Sequence, residues 1–142
     1  MPVKTYYRKD LARQHLETAL ALFAEGNDYG SVVTLAGAAD EVFGKFLVSE
    51  GKENSLEALK RAVLAIHLML FGEPTPPKYI ADRANMAKNS LKHWDLGDPK
   101  LVKFDMRQES IDMLNRAIDN YWLLKEDLTP AMERFVREVL RA

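Results

Sequence analysis

The sequence of 142 residues contains no cysteine. This absence excludes disulfide bonds, zinc–thiolate sites, iron–sulfur clusters and cysteine nucleophiles. No run of apolar residues approaches the length needed to span a bilayer, and residues 1–14 carry charges where a signal peptide would need an apolar segment. We therefore expect a cytoplasmic protein that is not inserted in a membrane.

The common signatures of nucleotide and hydrolase sites are also missing. The sequence has no Gly-x-x-x-x-Gly-Lys loop, no Gly-x-Gly-x-x-Gly, no His-Glu-x-x-His and no Gly-x-Ser-x-Gly. None of the three histidines, His15, His67 and His93, has a glutamate three residues before it, which excludes the ligand pattern of a di-iron bundle. We expect no cofactor and no metal ion.

Charge and composition are those of one ordinary globular domain spanning residues 1–142. Twenty Lys and Arg residues nearly balance twenty-one Asp and Glu residues, and 47% of the residues are hydrophobic. A chain of this length can bury a core without disulfides. Near neutrality argues against binding nucleic acid through bulk charge, although it leaves room for a local basic patch.

Apolar residues recur at helical spacing along the whole chain, and no alternating strand pattern with a hairpin turn is present. We predict an all-α, up-and-down bundle of five to six helices. The predicted helices cover residues 6–25, 29–50, 55–71, 79–95, 105–125 and 130–142.

Two helices carry features that a simple core pattern does not explain. Asp40 and Glu41 lie in the middle of an apolar second helix, either as solvent-facing residues with Glu41 paired to Lys45, or as part of a site. We also expect a surface ion pair between Asp112 and Arg116. The apolar stripe of the third helix is so wide that it predicts either a central helix or an oligomer surface.

The segment from Tyr79 to Asp95 concentrates the reactive residue types. On an ideal helix its apolar stripe, which includes Trp94, would face the core, while Arg83 and His93 share one flank about 15 Å apart along the axis. Lys88 and His93 are about 140° apart around the axis. These residues cannot form one compact site on a straight helix, and solvated flank residues remain the alternative.

The residues Lys88-Asn89-Ser90-Leu91-Lys92-His93 resemble the motif of the HEPN superfamily, all-helical domains whose signature is an arginine, a polar residue and a following histidine. The stretch from Ala38 to Leu47 is similar to the family's helix with an alanine-rich run, a glutamate and a lysine four residues later. The resemblance covers about residues 8–125, followed by a C-terminal helix over 130–142. Lys88 stands where the family has arginine.

The resemblance implies a homodimer in which the two motifs meet across the interface, and RNA or a nucleotide as the ligand. Catalytic members are metal-independent ribonucleases of toxin or defence type, some with an antitoxin-like protein partner, and others only bind. His93 would transfer protons, Lys88 or Arg83 would contact phosphate, and Glu41 would orient them. The candidate catalytic residues are His93, Lys88 and Arg83, and the candidate binding residues are Asn89, Glu41 and Lys92.

Replacing arginine by lysine removes the planar fork that grips phosphate through two hydrogen bonds, so we expect weak or absent ribonuclease activity. Whether the chain is an enzyme stays open at this point. The alternative is a non-enzymatic dimeric scaffold or partner-binding module, in which the same residues only satisfy a polar interface.

Overall fold

The computed structural model describes residues 2–74 and 76–142, and all regular secondary structure within these ranges is helical. The predicted all-α bundle is confirmed, with six α-helices and a closing π-helical turn over Val136–Leu140. The helices are α1 (Arg8–Glu25), α2 (Tyr29–Ser49), α3 (Ser55–Phe71), α4 (Pro77–Lys92), α5 (Met106–Leu123) and α6 (Pro130–Phe135).

Four of these helices have a short polar residue at the N-cap. The side chain of each N-cap residue accepts a hydrogen bond from a backbone N–H that has no partner within the helix. Asp28 caps α2, Asn54 caps α3, Asp105 caps α5 and Thr129 caps α6. Gly26 ends α1 in the left-handed conformation at φ 79°, as its sequence position predicts. Local sequence signals therefore set most helix boundaries.

The core lies between α1, α2 and α5, and α6 with the π-helical turn packs onto it. Leu16 of α1, Phe43 of α2 and Leu114 of α5 are completely buried at its centre. Phe43 also meets Tyr121 edge to face at 5.3 Å between ring centroids. Apolar residues that recur at helical spacing therefore form the buried faces of α1 and α2.

Helix α3 lies at the periphery and has no buried residue, so the interpretation of α3 as a central helix is wrong. Its main contacts are with α4 and α5, and these two neighbours leave much of its wide apolar stripe uncovered. Five consecutive or nearly consecutive side chains at its C-terminal end are each more than half exposed: Ile66, Leu68, Met69, Leu70 and Phe71.

Helix α4 ends three residues before its predicted end. His93 is already extended, with φ −125° and ψ 133°. The Asp98 carboxylate then accepts a hydrogen bond from the backbone N–H of Asp95 at 3.0 Å, which closes a turn that competes with another helical turn. As a result Trp94 is 60% exposed and does not join the core as predicted.

Candidate functional site

A buried ion pair joins α2 to α5. Asp40 accepts hydrogen bonds from Arg116 Nε at 3.1 Å and from Nη2 at 2.8 Å, and its second oxygen accepts from Asn120 Nδ2 at 2.8 Å. Both charged side chains are less than one-tenth exposed. The carboxylate thus meets a fixed cation and an amide donor inside the protein, the arrangement that a buried charge needs.

The same network extends to α4 and α3. Arg116 Nη2 donates to Asn85 Oδ1 at 2.6 Å, and Arg116 Nη1 donates to the Ala84 carbonyl at 3.4 Å. Asn120 Oδ1 accepts from the backbone N–H of Ser55 at 2.7 Å, at the start of α3. One hydrogen-bond network therefore connects α2, α3, α4 and α5, and it fixes the position of α4 relative to α2 and α5.

These contacts correct two predictions. Asp40 does not face solvent, and Arg116 pairs with Asp40 and not with Asp112, whose carboxylate accepts from Gln108 at 2.9 Å. The sequence did contain a signal, because Asp40 follows Ala36 by four residues and precedes Phe43 by three, so it lies on the buried stripe of α2.

Glu41, next to Asp40 on α2, faces outward and meets two lysines. Its Oε1 accepts from Lys45 Nζ at 3.2 Å, which confirms the predicted pair, and its Oε2 lies 4.0 Å from Lys88 Nζ on α4. The hydrogen bond from Lys45 lowers the pKa of Glu41, and the positive charges of Lys88 and Lys92 act in the same direction. Glu41 is therefore an anionic bridge between α2 and α4.

Lys88 lies in the groove between α2 and α4, where Gly37 leaves room for it. A Cβ at Gly37 would come within 2.5 Å of Lys88 Cδ, so the absence of a side chain there is what admits the lysine stem. The Lys88 side chain is only 12% exposed. Burial lowers the pKa of Lys88, and the charge of Arg116 lowers it further, against the opposing effect of Glu41 and Asp40.

A surface hollow of about 430 Å³ opens beside this group, between the start of α1, the middle of α2 and the end of α4. We call it the basic hollow; it is lined by Arg8, Ala38, Glu41, Val42, Lys45, Phe46, Ser49 and Lys92. Three cations from three helices meet one carboxylate here, and Ala38, Val42 and Phe46 provide apolar surface between them. Glu41 and Lys92 therefore line the same hollow, and Lys88 Nζ lies 4.0 Å from Glu41 Oε2.

The other candidate residues are placed differently. His93 is exposed at the end of α4, and within residues 2–74 and 76–142 no group hydrogen-bonds to its ring. Asn89 is exposed one turn earlier and its carbonyl accepts from the His93 backbone N–H at 2.9 Å. Arg83 lies on another side of α4, with its Nη1 3.7 Å from Glu109 Oε1. Arg83 lies beside Glu109 of α5, whereas Lys88 lies beside Glu41 of α2.

The opening at Arg83 is a cleft of about 580 Å³ between α3, α4 and α5, which we call the outer cleft. Arg116 of the buried network reaches its lining. In the part of the chain that the structure describes, no cluster of three or more His, Asp or Glu side chains is arranged to hold a metal ion. In that same part, no helix combines the length and apolar character that crossing a membrane requires.

Fold and site together define an all-α helical bundle in which a buried ion pair joins α2 to α5, and the basic hollow and the outer cleft open beside α4. Comparisons of the chain with models of protein families, with curated proteins and with solved structures found no match.

Proposed function

We propose that the chain is a HEPN-like helical domain that binds RNA or a nucleotide, with a phosphate group held in the basic hollow. The observation that carries the proposal is the meeting of Arg8, Lys45 and Lys92 in one hollow of a chain whose net charge is −1. A local excess of cations attracts phosphate even where the whole chain is nearly neutral.

The chemistry of the hollow suits a nucleotide. Lys45 is exposed, so its ammonium can exchange Glu41 and water for a phosphate oxygen. Arg8 can donate two parallel hydrogen bonds to phosphate from its planar guanidinium. Between these cations the partly buried ring of Phe46 offers an apolar surface against which a base or ribose can pack.

Binding is better supported than cleavage. His93 adjoins Lys92 and has the residue type that transfers protons near neutral pH, but no described group orients its ring. Lys88 is largely covered and lies beside Glu41, so its ammonium is not presented to a phosphate at the surface. We infer that one chain supplies binding groups without a complete catalytic set, and that any metal-independent ribonuclease activity is weak.

Binding can be tested with a fluorescently labelled single-stranded RNA whose anisotropy is measured over a series of salt concentrations. Lys92→Ala should weaken binding and reduce the slope of log affinity against log salt by about 0.7, the value for one lost phosphate contact on a single strand. Lys78→Ala is the matched control, because Lys78 is an exposed lysine about 21 Å away along the same helix. Equal effects of the two substitutions would contradict the proposal, and so would the absence of RNA binding by the unaltered protein.

Cleavage is tested separately by incubating the protein with RNA in EDTA. We expect little or no cleavage by the natural chain, and none by His93→Ala. Lys88→Arg restores the residue type of the family motif and should raise any cleavage that the natural chain shows, since a guanidinium reaches further and binds phosphate through two donors. Cleavage that persists unchanged in His93→Ala would exclude His93 from the chemistry.

A second candidate function, a non-enzymatic dimeric module, is favoured by the exposed C-terminal end of α3. Contiguous exposed apolar surface of this kind is typical of protein interfaces. If a second copy covers it, light scattering at micromolar concentration should give the mass of a dimer. Leu70→Glu should then give a monomer, whereas Leu96→Glu, at another exposed leucine that lies beyond the far end of α4, should leave the dimer intact. A monomeric natural chain would contradict this candidate.

A further inference from the structure

The outer cleft has the size and lining of a small-molecule site, and the proposed function does not use it. Its volume of about 580 Å³ falls within the usual range for ligand pockets, about 300–1,000 Å³. Leu59 and Val63 of α3, Ile80 of α4 and Met113 of α5 make its apolar walls. Tyr79 lines it with a ring that is mostly exposed and therefore free to stack on a ligand.

One carboxylate in this cleft lacks hydrogen-bond donors. The Glu109 side chain is only 17% exposed, yet its nearest cation is Arg83 Nη1 at 3.7 Å, beyond hydrogen-bonding distance. Within residues 2–74 and 76–142 no side chain or backbone N–H donates to the Glu109 carboxylate. The other cleft acid, Asp112, already accepts a hydrogen bond from Gln108. A largely covered acceptor without protein donors can accept hydrogen bonds from a ligand or from water.

The Glu109 and Arg83 side chains place an acceptor group beside a donor group. A complementary ligand needs N–H donors next to a carbonyl acceptor on one edge, with an apolar planar body. Among the RNA bases, guanine has two adjacent donors, N1–H and N2–H, beside the acceptor O6. Cytosine, adenine and uracil offer one donor at the corresponding edge, so they leave one carboxylate oxygen unpaired.

We propose that the outer cleft binds a guanine base, with its N1–H and N2–H donating to the two Glu109 oxygens and Arg83 donating to O6. The base lies between the apolar walls of α3 and α5, and Tyr79 covers one edge of the opening. The proposal specifies which base the RNA-binding function would recognise. It does not depend on phosphate binding in the basic hollow, because a nucleoside without phosphate can occupy the outer cleft.

The test is a titration of the full chain with guanosine, inosine, adenosine and cytidine, followed by calorimetry and by amide chemical shifts in NMR. Inosine differs from guanosine only by the missing 2-amino group. It should bind at least about tenfold more weakly, because a hydrogen bond to a charged group is lost. The guanosine shifts should map to the first turns of α4 and α5.

Glu109→Gln should weaken guanosine binding at least about tenfold and abolish the preference over inosine. Asp112→Asn, a matched change in the same cleft, should keep both affinity and preference. The absence of saturable guanosine binding would overturn the proposal, as would an unchanged preference in Glu109→Gln. Thermal unfolding of both variants checks that each is folded.

Failure of this site and failure of the proposed function give different results. If the basic hollow binds no phosphate, the RNA salt slope is the same in Lys92→Ala and Lys78→Ala, whereas guanosine binding is unaffected. If the outer cleft binds no guanine, guanosine does not bind and the Lys92→Ala effect on RNA remains.

Discussion

Removing the carboxylate of Asp40 should destabilise the protein far more than removing the adjacent carboxylate of Glu41. Asp40 accepts three hydrogen bonds at 2.8 to 3.1 Å, two of them from Arg116. In Asp40→Ala the guanidinium stays buried and keeps only neutral acceptors, Asn85 Oδ1 and the Ala84 carbonyl. Breaking a buried pair in this way costs about 3–5 kcal/mol of unfolding free energy.

Glu41→Ala is the internal control, because it removes the same group from the next position of the same helix. The Glu41 side chain is 41% exposed and its ion pairs with Lys45 and Lys88 are screened by water. Its loss should cost about 0.2–1 kcal/mol, as for other exposed pairs. Against a total stability of about 5–15 kcal/mol, only the Asp40 change removes a large fraction.

Urea unfolding followed by far-UV circular dichroism measures both free energies. The midpoint of thermal unfolding should fall by about 10 °C or more in Asp40→Ala and by only a few degrees in Glu41→Ala. Asp40→Asn keeps the shape and one neutral acceptor, so it should lie between the natural chain and Asp40→Ala. If Asp40→Ala does not fold, the unfolding free energy of Asp40→Asn is compared with that of Glu41→Ala instead.

The double substitution Asp40→Leu with Arg116→Met tests the cause of the loss. Replacing both members of a buried pair by apolar groups removes the orphaned charge, so the double variant should recover most of the stability lost in Asp40→Ala. If Asp40→Ala and Glu41→Ala have unfolding free energies within about 1 kcal/mol of each other, the argument from burial is wrong.

Three further predictions concern packing, charge and capping. Gly37→Leu should cost about 1–3 kcal/mol by pushing Lys88 out of its groove, whereas Ala38→Leu on the exposed side of α2 should be tolerated; urea unfolding distinguishes them. Because burial lowers the pKa of Lys88 below 10.5, the folded state releases its proton before the unfolded state does, so stability gains a contribution as pH rises toward 10.5. Lys88→Met should lack this increase in stability with pH. The difference is measured by comparing the unfolding free energies of the two proteins between pH 8 and 10.5. Thr129→Ala should cost about 1 kcal/mol through the lost cap of α6, measured by thermal unfolding.

Helix ends and the main core could be predicted because their signals are local. Gly26 ends α1 because glycine adopts the left-handed backbone conformation without steric cost. Asp28 begins α2 because its carboxylate accepts a hydrogen bond from a backbone N–H of the first helical turn. The stripe of α2 that contains Phe43 repeats at helical spacing, and such a stripe favours burial of that face of the helix. These inferences hold for a helix whatever its neighbours are.

The candidate site could be predicted only as residue types along one helix. Glu41 and Lys45 are four residues apart, so their pairing follows from α2 alone. The approach of Lys88 to Glu41 depends on how closely α4 crosses α2 at Gly37, which is a property of two helices distant in sequence. Arg8 lines the basic hollow although no sequence signal pointed to it, since α1 carries neither of the two motifs on which the resemblance rests.

The sequence by itself determined the fold class, most helix boundaries and the apolar faces, because hydrophobic periodicity and capping act within one helix. Only the tertiary structure decided which polar residues on those helices are buried and which partners they have. It buried Asp40 against Arg116, 76 residues away, and left Glu41 at the surface. It also placed Arg83 beside Glu109 of α5 and Lys88 beside Glu41 of α2. The partners of a charged side chain depend on distances in space, which are set only when the helices pack.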